Sequence, residues 1–239
     1  MGFIGKRQEE AEAAAVAEKG DETAAGAGAG SGEQDEYRKW LYTFLPSNLN
    51  LTRAFYTHPK VLVAALNGPV VGLSAALTAF ADFVYAAPHA FLLAPFASLG
   101  LVAEGGASRA LARRLGPARA AEALLMARRI PCDELVAAGY VNKVIEPHAG
   151  NEKMRGTREA EADSDAFLAA VMDEVRDKLG DHLVGDSLLG IKALLRAPEN
   201  EVLERQNVAE VFAGLDRFVS GVPAEEFRKI ATGQKKHKL

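Results

Sequence analysis

The apolar positions of this chain change period along its length, and those changes mark its elements. Val61-Leu62-Val63-Ala64-Ala65-Leu66 is a continuous apolar run stopped by Asn67-Gly68-Pro69, which reads as a short buried strand followed by a turn. Gly72 to Ala81 reads as a helix packed through small residues, and Phe83 to Ala87 and Ala90 to Pro95 as two further strands separated by Pro88-His89. A glycine-punctuated loop, Ser98 to Ala107, leads into a helix from Ser108 to Leu115 that Gly116-Pro117 should stop. Ala118 to Arg128 and Asp133 to Ala138 read as helices and Val141 to Ile145 as a strand. Strands alternating with helices predict an α/β layered fold.

The pattern differs on either side of this region. Upstream, Trp40, Leu41, Phe44 and Leu45 recur at helical spacing, predicting a helix that ends near Pro46. Residues 7 to 36 mix a Glu/Ala run with Gly26-Ala27-Gly28-Ala29-Gly30-Ser31-Gly32, the composition of a flexible connection. These glycines resemble a phosphate loop only in spacing, because no strand precedes them. Downstream, residues 148 to 165 are polar and read as a linker. After it come helical repeats: Phe167, Val171, Val175 and Leu179; Leu188, Leu189, Ile191 and Leu194; Val208, Val211 and Phe212. The expected division is thus 1–59 low-complexity segment plus helix, 60–147 α/β core, 148–165 linker and 166–239 helical subdomain.

Composition narrows the function. With 239 residues, 49% hydrophobic, the chain can bury a core. A formal charge of -4 gives no general basic field for nucleic acid or an anionic membrane surface. No run approaches the ~18 apolar residues of a membrane span, and the acidic start Gln8-Glu9-Glu10-Ala11-Glu12 is unlike a secretion signal. The lone Cys132 forms no internal disulfide, which favours a reducing setting, and two acidic neighbours disfavour its thiolate. Gly72-Leu73-Ser74-Ala75-Ala76 lacks the second glycine of a serine-nucleophile elbow. The cations Arg109, Arg113 and Arg114 read as a solvated helix face. The terminal His237-Lys238-Leu239 resembles a peroxisomal address.

Two places carry possible chemistry. The turn and glycine before Leu73 open a helix whose first N–H groups lack intrahelical acceptors and can hold a negative oxygen. Glu104 is the only acidic residue between Asp82 and Glu122, with Leu99, Leu101 and Val102 close by and Gly105-Gly106 after it. An apolar setting raises a carboxylate toward the proton affinity a general acid/base needs. The other reading is that Glu104 favours the positive end of the following helix. The residues leave both open.

From Val61 to Ile145 the motifs resemble those of the enoyl-CoA hydratase/isomerase (crotonase) family: the Lys60-Val61-Leu62 strand, Asn67-Gly68 with Gly72, Ala81-Asp82 before Val84-Tyr85-Ala86, Leu99-Gly100-Leu101, Leu115-Gly116 and Ala138-Gly139-Tyr140-Val141-Asn142. Asn67 to Ala76, Phe96 to Gly106, the Phe44-x-x-x-Asn48 spacing and the tail resemble fungal peroxisomal 3-enoyl-CoA to 2-enoyl-CoA isomerases. The resemblance implies a crotonase-like spiral of ββα units with a C-terminal α-helical subdomain. It places Glu104 as the catalytic acid/base and Leu73, Gly72 and Asn48 in the oxyanion and substrate-binding group. The two hydratase glutamate positions hold Ala76 and Phe96, which disfavours water addition.

The implied function is isomerisation of 3-enoyl-CoA to 2-enoyl-CoA in peroxisomal fatty acid β-oxidation. No metal or redox cofactor is required, and CoA enters as part of the substrate. Implied partners are the acyl-CoA and, through His237-Lys238-Leu239, a peroxisomal import receptor, in a homotrimer or hexamer. In the family, earlier strands and a Ser-Gly-x-Asp-like loop supply a second oxyanion N–H, and nothing from Met1 to Lys60 matches them. The expectation is a chain shortened at its N-terminus. The alternatives are an isomerase/hydratase-like acyl-CoA enzyme of fungal secondary metabolism and a non-catalytic protein of the same fold.

Overall fold

The computed structural model describes residues 31–146 and 164–236. The expectations for residues 7 to 30, for the linker up to residue 163 and for His237-Lys238-Leu239 fall outside them. All strands and the candidate site belong to the unit Glu36–Leu239.

Helix α1 spans Ser31–Tyr56 and runs straight through Pro46, where the sequence predicts its end. A mid-helix proline removes one backbone hydrogen bond and costs ~3 kcal/mol or more. The turns beyond Pro46 override it by burying Asn48, Thr52 and Tyr56 at 5%, 0% and 3% exposure. Before it, Phe44 tilts against Phe218 with ring centroids 4.6 Å apart.

Among the described residues, six strands form two small sheets. Strands β1 (Val63–Leu66), β3 (Phe83–Ala86) and β6 (Lys143–Val144) make the first, ordered β1-β3-β6 and wholly parallel. Strands β2 (Pro69–Val71), β4 (Phe91–Leu93) and β5 (Ile130–Pro131) make the second, with β2 and β4 parallel and β4 and β5 antiparallel. The predicted strands are present, shortened at their ends. Helix α2 (Leu73–Thr78) crosses between the sheets, and its Ala75 and Ala76 are fully buried.

Helix α3 covers Ala107–Leu125 with a break at Gly116, whose φ of 76° and ψ of 160° are not helical. Gly116-Pro117 thus interrupts the helix as the sequence predicts, and a second helical stretch follows after the kink. Helix α4 is Cys132–Ala137. The C-terminal subdomain is helical as expected: α5 (Ser164–Lys178), the long α6 (Gly185–Val219) and α7 (Val222–Ala231). Its apolar periodicity does not all face inward, however. Val211 is fully buried, but Val208 and Phe212 are 43% and 47% exposed, and Leu194 is 75% exposed.

Two smaller expectations are settled here. Cys132 is buried, and desolvation together with Asp133 pushes its thiol up, so it stays an inert thiol. The cations Arg109 and Arg114 are not simply a solvated face. Arg109 forms a two-pronged pair with Glu199 at 3.0 and 2.9 Å. Arg114 donates to the carbonyls of Ala79, Ala81 and Tyr140. The physical reason is that the end of α2 leaves carbonyls without intrahelical donors, and a guanidinium fork can satisfy several at once.

Candidate active site

The site is assembled from α1, the start of α2 and the loop before α3. Strand β2 passes into α2 through Gly72, at φ 63° and ψ -126°, a conformation L side chains rarely adopt. The N–H of Gly72 donates to the carbonyl of Leu93 at 2.8 Å. Its N–H is thus engaged with β4, and what Gly72 supplies locally is the turn into α2. Leu73, next in line, is the first residue of α2 and has no intrahelical acceptor for its N–H.

The loop carrying Glu104 lies against this helix start. Gly105 and Gly106 have φ of 71° and 74°, the left-handed region that favours glycine. A Cβ on Gly105 would lie 2.5 Å from Leu73 Cδ1 and 3.0 Å from Ala76 Cβ. The missing side chain is what lets the Glu104 loop touch α2. Ala76 and Phe96 are buried apolar residues at 0% and 3% exposure.

Glu104 itself is half-buried. Asn48 Nδ2 donates to its Oε2 at 2.8 Å, across 56 residues of sequence. Asn48 is in turn braced by Thr52, whose Oγ1 donates to Asn48 Oδ1 at 3.4 Å. The structure thus brings Asn48 onto the carboxylate rather than to a separate oxyanion position. A neutral amide that donates to a carboxylate oxygen fixes where that carboxylate points.

The positive end of α3 is occupied by a different acid. Glu210, on α6, accepts from the N–H of Gly106 at 2.7 Å and of Ser108 at 2.9 Å, and from the Ser108 hydroxyl. It is 5% exposed. Burial pushes its carboxyl up, and the hydrogen bonds from Ser108, Gly106 and Ala107 offset part of that rise. The capping role left open for Glu104 thus belongs to Glu210, which sequence reasoning missed. Nothing local signals it, because the contact spans 104 residues. Among the described residues, no group of three or more His, Cys, Asp or Glu is placed to hold a metal ion. No helix among them is long and apolar enough to cross a membrane.

The candidate site is thus a half-buried carboxylate held by Asn48 on a loop packed against the start of α2. The enoyl-CoA hydratase/isomerase family model matches residues 6–212, and the chain belongs to that family. Over 202 residues it is 61% identical to a Delta(3,5)-Delta(2,4)-dienoyl-CoA isomerase of Pyricularia oryzae, covering 84% of this chain and 69% of that protein. It is 35% identical to a 3,2-trans-enoyl-CoA isomerase of Saccharomyces cerevisiae, covering 85% and 69% of the two chains. The crystal structure of an enoyl-CoA hydratase/isomerase from Pseudoalteromonas atlantica superposes with a TM-score of 0.66 at 24% identity, over 79% of this chain and 68% of that one. That likeness establishes the crotonase-type fold.

Proposed function

We propose that the chain is an enoyl-CoA isomerase that moves the double bond of a 3-enoyl-CoA to the 2-position, with Glu104 as its one proton carrier. The observation that carries the reading is the 2.8 Å bond from Asn48 to Glu104, on a loop packed against the start of α2 through Gly105. Removing a C2 proton from a 3-enoyl thioester leaves a charge that spreads over the carbonyl oxygen and the double bond. Glu104 takes that proton, the N–H of Leu73 donates to the dienolate oxygen, and the protonated Glu104 returns the proton at C4. A preorganised N–H at a developing oxyanion is worth ~10² to 10³ in rate. Apolar residues at 76 and 96 support isomerisation over hydration, because no second carboxylate stands there to activate water.

A second reading is favoured by the 61% identity to a dienoyl-CoA isomerase. A 3,5-dienoyl-CoA would lose the same C2 proton but regain it at C6, two bonds beyond C4. The purified chain should be given both thioesters and its products separated. The first reading expects turnover of the 3-enoyl-CoA to the 2-enoyl-CoA. Faster formation of a 2,4-dienoyl-CoA, seen by its longer-wavelength absorbance, would replace it with the second, and turnover of neither would contradict both. The peroxisomal β-oxidation setting rests on the terminal His237-Lys238-Leu239. A trimer or hexamer is supported by the apolar residues that α6 exposes, such as Leu194 and Leu195 at 75% and 70%.

A further inference from the structure

The proton carrier and its amide partner sit on segments that do not touch each other through secondary structure: Asn48 on α1, Glu104 on the loop before α3. A third element holds both. One helical turn separates Asn207 and Glu210 on α6. Asn207, 1% exposed, donates from Nδ2 to the carbonyl of Leu49, the neighbour of Asn48, at 3.0 Å. Glu210 holds the N–H groups of Gly106 and Ser108, directly after Glu104. Further along the same helix, Arg217 Nε donates to the carbonyl of Gly100 at 2.7 Å, at the other end of the loop. Gly106 leaves no slack, since a Cβ there would lie 2.6 Å from Phe80 Cζ.

We infer that Asn207 and Glu210 are positioning residues that set the distance between Asn48 and Glu104 by clamping the two segments that carry them to one face of α6. The inference rests on the isomerase reading for its kinetic consequence, though its geometric consequence stands apart. Both carboxylate oxygens of Glu210 accept from backbone N–H groups. Glu210→Gln therefore keeps the shape but sets an NH2 against one of those N–H groups, and the Gly105-Gly106 turn must shift. A misplacement of about 1 Å at a reacting group costs on the order of 10²-fold in rate.

The test compares Glu210→Gln and Asn207→Ala with Glu199→Gln, which breaks the α6 pair to Arg109 without touching either clamped segment. The clamp predicts that Glu210→Gln and Asn207→Ala lower kcat by about 10- to 100-fold with KM unchanged, while Glu199→Gln lowers Tm and leaves kcat per folded molecule unchanged. Combined with Asn48→Ala, Glu210→Gln should add no further loss, because both act through one pair. Crystal structures of the variants should show the 2.8 Å Asn48 to Glu104 bond lost in Glu210→Gln and kept in Glu199→Gln. Should Glu210→Gln fail to fold, Asn207→Ala carries the same comparison from the α1 side. Losses that multiply independently in the double variant, or an intact Asn48 to Glu104 bond in Glu210→Gln and Asn207→Ala, would overturn the clamp. Inactive wild-type protein would instead refute the isomerase reading, and the crystal structures would still decide the clamp.

Discussion

Two of the ties between helix α6 and the α/β core use carboxylates in opposite ways. In its first half, Lys192 and Arg196 donate to Asp82 at 2.7 and 2.6 Å, and the backbone N–H of Leu62 adds a third bond at 2.7 Å. In its second half, the carboxylate belongs to α6 and its partners are the N–H and O–H groups that open α3. The first tie joins full charges and stabilises the scaffold. The second joins a charge to neutral dipoles whose direction is fixed by the backbone, so it positions the turn beside Glu104.

This contrast can be broken experimentally, starting with the largest effect on stability. Asp82→Asn leaves Lys192 and Arg196 facing a neutral group at 11% and 13% side-chain exposure, and should cost about 3 kcal/mol. Chemical denaturation measures that loss, and kcat per folded molecule should not change. Gly106→Ala forces a left-handed alanine against Phe80 and should cost about 2 kcal/mol. Unlike Asp82→Asn, it should also lower kcat.

The two ties should respond to pH with opposite sign. Burial alone would raise Asp82, but hydrogen bonds from Arg196, Leu62 and Lys192 outweigh it and hold the carboxyl below its ordinary value of 3.8. The unfolded chain then binds the proton more readily, so the contribution of Asp82 is present above 3.8 and is lost as pH falls from there through the lower folded value. Glu210 is raised from 4.5. The folded chain then binds the proton more readily, so its contribution declines as pH rises from 4.5 toward the folded value. Stability curves for Asp82→Asn and Glu210→Gln against wild type, taken from pH 3 to 7 in steps of about one, should show the two differences sloping in opposite directions. Ser108→Ala is the smallest perturbation. It removes only the hydroxyl from Glu210 and should cost about 1 kcal/mol, read from the denaturation midpoint.

The same contrast explains what the sequence made legible. Strands β1, β3, β4 and β6 are short apolar runs that local chemistry suffices to place, whereas β2 and β5 are only three and two residues long, each contains a proline, and neither was read as a strand. Gly72, Gly105 and Gly106 could be recognised as turn residues, and Glu104 as the isolated acid among apolar neighbours. The passage of α1 through Pro46 was not legible, because burial of Thr52 and Tyr56 against distant residues outweighs a local rule. Glu210 lies beside Val211 in an amphipathic helix and reads as a surface charge. Only folding brings it to the start of α3. The apolar stripe of Leu188, Leu189, Ile191 and Leu194 had the right period for a buried face, but period does not say what covers it.

The central claim is that one carboxylate moves the proton, and kcat of Glu104→Gln on the thioester that the wild type turns over tests it most directly. Glutamine keeps the shape and can still meet Asn48, yet it cannot accept the C2 proton. With a native melting curve, the account predicts a kcat lower by at least about 10³-fold, on the scale of losing a positioned general base. A folded Glu104→Gln protein within about tenfold of wild type would contradict it.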